Sequence, residues 1–317
     1  MKLRAFRLKH PTGVHATIVN YGARLHKLGI SENHNVVVAA EKVEDYLTCT
    51  AFQGATIGPI ANLVRNGEIS TDKAVASFHK NHGSHSLHSG NDAYDKRYWS
   101  VVLLNENSVK LSLEDEHSFA NCKINVSVLF ELTPFGLDIT YEASSDSDFW
   151  MNMTNHSYFN LVQDKDIYGH SMSINSNKVV ATDESNIPTS MTVDIENERD
   201  CFIRSKELSL LREDLSTERL KKNNGINTCY LLQRSRNYAA LVSHPEARVN
   251  LLITTTKPAL QVYTTNNPIK LCERNSLHGA VCLEPMYPTS DYFEKENARS
   301  YITCDRIYKE TDSYNFV

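Results

Sequence analysis

The chain has 317 residues, with 33 Lys and Arg against 38 Asp and Glu for a formal charge of −5. Hydrophobic residues at 41% and charged residues at 22% are ordinary globular values and exclude wholesale disorder. Without a basic excess the chain lacks the concentrated cationic face of a dedicated nucleic-acid binder, so a small molecule is the expected partner.

The start, MKLRAFRLKHPTG, is basic but has no apolar run behind it, so no secretory signal is expected. No stretch reaches the ~18 apolar residues of a membrane helix. The seven cysteines, Cys49, Cys122, Cys201, Cys229, Cys272, Cys282 and Cys304, are odd in number and free of CxxC spacing. They read as reduced thiols of a cytoplasmic protein rather than a disulfide framework. The triplets beginning at Asn125 and Asn155 match a glycosylation pattern only by chance if there is no secretion.

In chain order, alternation of apolar and polar residues begins at Val14, Ala16 and Ile18. Asn81-His82-Gly83 reads as a turn. Val109, Leu111 and Leu113 alternate next, followed by the longer run Ile124, Val126, Val128, Phe130 and Leu132. A Pro134-Phe-Gly136 turn leads into Leu137, Ile139 and Tyr141. Residues 206–222 are predicted as one helix, because Leu208, Leu211, Leu215 and Leu220 recur near 3.6-residue spacing among charges. After a turn at Asn223-Asn224-Gly225 come Val249, Leu251 and Ile253, then Leu260 and Val262. Period two is the mark of strands with one buried face. No βαβ alternation, internal repeat or low-complexity linker is visible. The expectation is an all-β chain, one domain over 1–317, built as a mostly antiparallel β-sandwich with few short helices.

Three polar clusters could carry chemistry. His79, His82, His85 and His88 recur every third residue, but the Gly, Ser and Asn between them indicate a loop, which does not force a common face. A tetrahedral metal site needs converging ligands, so a solvated loop with one functional His is preferred and no metal is expected. Met153-Thr-Asn-His156-Ser-Tyr-Phe-Asn160 is polar where a strand core is normally apolar; a buried His satisfied by Asn155 or a carbonyl competes with a functional one. Ala280-Val-Cys-Leu283-Glu284 ends a short apolar run on an acid. A lone strand-end Glu is usually solvated, whereas a buried one is paired or used.

At these residues the chain resembles a family. Asn20-Tyr-Gly-Ala23, Thr56-Ile-Gly58 with Ala61-Asn62, and Ser86-Leu87-His88 with Gly90 are similar to successive motifs of the aldose 1-epimerases, the galactose mutarotases. Asp95-Lys96-Arg97 with Trp99, Thr154-Asn-His156-Ser-Tyr-Phe-Asn-Leu161, Ile187-Pro-Thr189, Leu260-Gln261-Val-Tyr-Thr264 and Cys282-Leu-Glu284 continue the set in the family's order. The resemblance implies a β-supersandwich, a cytoplasmic isomerase, a monosaccharide or related hemiacetal as substrate, neither metal nor organic cofactor, and a monomer or homodimer. Residue by residue it implies His156 as general acid and Glu284 as general base. His88, Asn62 and Gln261 match positions that contact the sugar. The chemistry suits such a pair. Anomer interconversion removes the proton from O1, protonates the ring oxygen, and recloses after rotation about C1–C2, each positioned group being worth roughly 10²–10⁴ in rate. A nearby carboxylate, with Glu284 one candidate, is expected to favour the His156 imidazolium.

Two departures fall in the implied substrate pocket. Leu63 stands where the family usually has Arg, and Asn227 where it usually has Asp. Gly58-Pro59 replaces a Gly-Arg, and Pro285-Met286 a Thr-Gln. Losing a cation and an anion that grip hydroxyls predicts a weaker hold on galactose or glucose. Three readings follow: retained aldose mutarotation with Arg65 or an extra His compensating; isomerisation of a different hemiacetal-like or non-sugar compound; and a non-catalytic carbohydrate-binding module. The intact His156 and Glu284 count against the module. A phosphosugar is disfavoured because removing a pocket Arg is the wrong direction for holding phosphate.

Overall fold

Period-two alternation becomes two-faced strands in the computed structural model, which describes residues 1–317 apart from 71–74, 117, 214, 234, 268–275 and 289–299; Cys272 lies outside the described residues. Lys123–Thr133 buries Ile124, Val126, Val128, Phe130 and Leu132 on one side. It pairs antiparallel with Gly136–Ser145, from Thr133↔Gly136 to Ile124↔Ser145, which places the 134–136 turn at the tip. Each buried aliphatic or aromatic side chain is worth about 1.5–3 kcal/mol.

Two large antiparallel sheets result. The nine-stranded sheet runs, edge to edge, through Lys206–Glu207, Ser171–Ile174, Ala240–Ser243, Leu251–Thr255, Tyr308–Phe316, Gly136–Ser145, Lys123–Thr133, Ser108–Glu116 and Ser100–Leu104. The six-stranded sheet runs through Tyr158–Phe159, Val281–Met286, Ala259–Tyr263, Asn227–Leu231, Lys178–Thr182 and Pro188–Asp194. Ala5–Lys9, His15–Val19 and Arg24–Gly29 form a third sheet of three strands. One hydrophobic cluster reaches from Phe6 to Phe316 and joins them, with Phe159 against Tyr314 at 5.4 Å between ring centroids.

The strand Tyr308–Phe316 turns Glu310 and Asp312 inward together with Tyr308, Tyr314 and Phe316. Burying a carboxylate is costly unless it is paired. Asp312 is paired: Lys257 Nζ lies 2.7 Å away, both side chains fully buried, and the Thr255 hydroxyl donates to it at 2.7 Å.

The predicted helix over 206–222 is replaced by shorter elements. Lys206–Glu207 is an edge strand, and the helices are Leu210–Glu213 and Glu218–Asn223. Thr217 starts the second by accepting the Leu220 N–H on its hydroxyl at 3.3 Å, an N-cap that competes with helix continuation. The second helix ends where Asn224 adopts φ 51° and Gly225 φ 138°. Among the described residues no helix is long and apolar enough to cross a membrane.

Candidate active site

Register builds one wall of the site. Cys229 faces Gln261 and Gln261 faces Glu284 across three adjacent strands, so their side chains share a face. Asn227 and Tyr263, each two residues from a member of this row, point the same way. Glu284 therefore lies inside the strand Val281–Met286, not at a solvated end, and is 2% exposed.

His156 comes from a chain that crosses between sheets. Thr154–Asn155 pairs with Thr56–Ile57, and Tyr158–Phe159 with Val281–Met286. His156 donates its N–H to Ala55 and accepts from Gly54 at 2.9 Å. Gly54 has φ 64°, and a Cβ there would meet the Leu25 carbonyl at 2.1 Å, so only glycine allows this approach. The pairing brings His156 Nε2 to 3.7 Å from Glu284 Oε1. Asn155, which opens the N-x-S triplet, is fully buried and donates to the Gly54 carbonyl.

The third wall is the short pair Leu63–Val64 with Ser86–Leu87, flanked by Asn62 and His88. A cleft of about 440 Å³ opens among these walls. The structure brings all seven site residues named from the sequence into its lining: His156, Glu284, His88, Asn62, Asn227, Gln261 and Leu63. An amide relay ties three of them. Asn62 Nδ2 donates to Gln261 Oε1 at 3.2 Å, and Gln261 Nε2 donates to Asn227 Oδ1 at 2.8 Å.

Of the four spaced histidines, His88 is buried in the cleft and His82 lines it from an exposed position, while His79 is exposed and His85 half-buried. Arg65 is turned away: it is bound to Asp183 at 2.5 Å and does not line the cleft. Among the lining residues that had escaped the sequence reading are Phe52 and Lys222. Phe52 stacks on His156 at 5.7 Å and meets His88 edge-on at 4.8 Å. It sits at φ 56° in a loop without periodicity, so no pattern marks it. Lys222 lies at the end of the second helix, where the sequence shows only one more surface lysine.

Burial dominates the electrostatics. It raises Glu284 to about 8. It lowers His156 to about 4, and the buried guanidinium of Arg24 adds to that fall. Desolvation also holds His88 well below its usual range, followed by the neighbouring His156 and His82. Near neutral pH this burial keeps the pair's single proton on Glu284 and leaves His156 neutral. The expected promotion of the imidazolium by Glu284 is outweighed by the loss of water around both groups. Among the described residues His156 Nδ1 and Glu284 Oε2 are buried without a hydrogen-bond partner, which leaves each open to a polar ligand.

Among the described residues, His88, His156 and Glu284 form the group whose potential ligand atoms all lie within 4.8 Å of one another. Asn62 donates its backbone N–H to His88 Nδ1 at 3.1 Å. That bond places the His88 proton on Nε2, which becomes a donor without a free lone pair. This donor set does not fit a metal ion.

A family model described as aldose 1-epimerase matches residues 4–303. The chain is 29% identical over 274 residues to an aldose 1-epimerase of Escherichia coli, covering 83% of this chain and 79% of that protein. It is 27% identical over 260 residues to a galactose mutarotase of Bos taurus, covering 78% and 74% respectively. Among solved structures, an aldose epimerase homologue from C. elegans superposes with a TM-score of 0.89 at 20% identity, over 100% of this chain and 99% of that one. A galactose 1-epimerase from Lactobacillus acidophilus gives 0.85 at 22% identity, with the same coverage.

Proposed function

The chain belongs to the aldose 1-epimerase family, and from that premise we propose that it interconverts the α and β anomers of an aldose by acid–base ring opening and reclosure. The observation that carries this reading is the buried approach of His156 to Glu284 at 3.7 Å, on the floor of a cleft sized for a small molecule.

In one direction Glu284 takes the proton from the O1 hydroxyl while His156 delivers one to the ring oxygen. The ring opens to the aldehyde, C1–C2 rotates, and reclosure exchanges the two roles. The pair needs one proton in total, and it holds one between about pH 4 and about pH 8. Moving that proton from Glu284 to His156 on binding leaves the net charge unchanged. Sugar hydroxyls that donate to the carboxylate favour its charged form and so offset part of the desolvation. His88 donates from Nε2 to a sugar oxygen, and Phe52 packs the two histidines in place.

The test is polarimetry on freshly dissolved α-D-galactose and α-D-glucose, wild type beside Glu284→Gln and His156→Ala. Accelerated loss of optical rotation that falls by roughly 10²–10⁴ in either variant supports the reading. Absence of acceleration with folded wild-type protein, on any common aldose, sinks it.

A further inference from the structure

We propose that the aldose taken by this cleft carries a carboxylate, as in a hexuronate, received by Lys222 together with the amide N–H groups of Asn227 and Gln261. This rests on the mutarotase reading above and names its substrate class.

The direction of the amide relay is the first ground. Each amide has two N–H donors and one oxygen. The relay gives the Gln261 oxygen one partner in Asn62 and the Asn227 oxygen one partner in Gln261. Among the described residues one N–H of Gln261 is left over. So is Asn227 Nδ2, whose contact with Asn223 Oδ1 is a long 3.5 Å. A carboxylate, which only accepts, is met in this corner by these unspent N–H groups.

Charge is the second ground. Among the described residues lining the cleft, Glu284 is the one carboxyl and is occupied by chemistry, and Lys222 is the one Lys or Arg. Lys222 adjoins Asn223, the relay's neighbour. It spends one of its three N–H groups on the Asp183 carbonyl at 2.5 Å and keeps two. The Asp183 carboxylate is already bound to Arg65, so Arg65 and Lys222 both lean on one acidic residue. Hydrogen bonds between ionised partners are roughly twice as strong as neutral ones. A phosphate, with up to two charges, is poorly served by one ammonium and no lining guanidinium. Asn186, whose buried Oδ1 has no partner among the described residues, supplies an acceptor for a ring hydroxyl of the same sugar.

The experiment compares kcat/KM for anomer exchange of D-galacturonate, D-galactose and D-galactose 6-phosphate, with the glucose series alongside, by NMR exchange at pH 7. The uronate is expected to exceed the parent hexose by roughly tenfold or more. Lys222→Met and Asn227→Asp should each collapse that ratio, and Lys222→Arg should restore it. A hexose or a hexose phosphate turned over as well as the uronate overturns the inference and leaves mutarotation standing. So does a ratio that Lys222→Met does not move. Acceleration of none of these sugars overturns both readings.

Discussion

The backbone N–H of Asn62 is donated to Nδ1 of His88, at 3.1 Å, while the His88 N–H returns to the Asn62 carbonyl at the same distance. Both residues hold left-handed backbone, φ 69° and φ 54°, which costs a non-glycine residue of order 1–3 kcal/mol. The strain is held by the strand pair on either side, and its effect is to fix one tautomer of His88 with Nε2–H facing the cleft.

His88 is therefore expected to act as a donor and not as a proton carrier. His88→Gln, which can still present an N–H, should retain most of the wild-type kcat/KM. His88→Ala should lose one to two powers of ten, chiefly through KM, the worth of one hydrogen bond at about 1–3 kcal/mol. Equal losses in the two variants would remove the donor role.

The shared proton predicts a bell-shaped dependence of kcat/KM on pH. Below about pH 4 His156 gains a second proton and the pair has no base. Above about pH 8 Glu284 loses the only proton and the pair has no acid. The two limbs belong to the pair rather than to either residue. A rate still rising past pH 9 would contradict a single proton held by Glu284.

Glu284 should also cost stability as pH rises. Its carboxyl is protonated up to about 8 when folded, against 4.5 when exposed. The folded state thus binds more protons than the unfolded state across this window, and stability falls as pH increases through it. Glu284→Gln removes that slope, so the variant should gain on wild type progressively from pH 5 to pH 8, by up to a few kcal/mol. His156, whose shift has the opposite sign, is common to both proteins and cancels. Thermal unfolding across this range is the check; a constant difference in Tm contradicts the buried neutral acid.

Arg24 links the first strands to the loop that carries Phe52. Fully buried, it donates to the Gln53 carbonyl, next to Phe52, and to the Asp95 carbonyl, each at 2.9 Å, with the Asp95 carboxylate 3.9 Å away. Arg24→Met leaves Asp95 buried without its counter-charge and should cost about 3–5 kcal/mol in urea unfolding. Adding Asp95→Asn should recover part of the loss. Removing the guanidinium also removes a charge that disfavours the His156 imidazolium. The acid limb of the pH profile should accordingly move upward in the double variant, and an unmoved limb would refute that coupling.

Much of this protein is legible in its sequence because period two is a local property. Ile124 to Leu132 and Leu137 to Tyr141 declare a hairpin without reference to anything else, and the ordered motifs around His156 and Glu284 identify the family. The same locality hid the strand Tyr308–Phe316, whose Glu310 and Asp312 break the apolar pattern. They are admitted to the interior by partners such as Lys257, which is 55 residues from Asp312 in the chain. It also led the leucines of 206–222 to be read as one helix, since a cap at Thr217 outranks spacing only once its hydroxyl is seen to accept the Leu220 N–H. Arg65 is adjacent in sequence to the pocket yet spent on Asp183, and Phe52 enters the site from a loop with no periodicity. The ordered motifs name a candidate acid and a candidate base. Where the proton rests depends on packing, because burial is set by all the elements that exclude water from Glu284 and His156 together, and no segment of the chain contains that information alone.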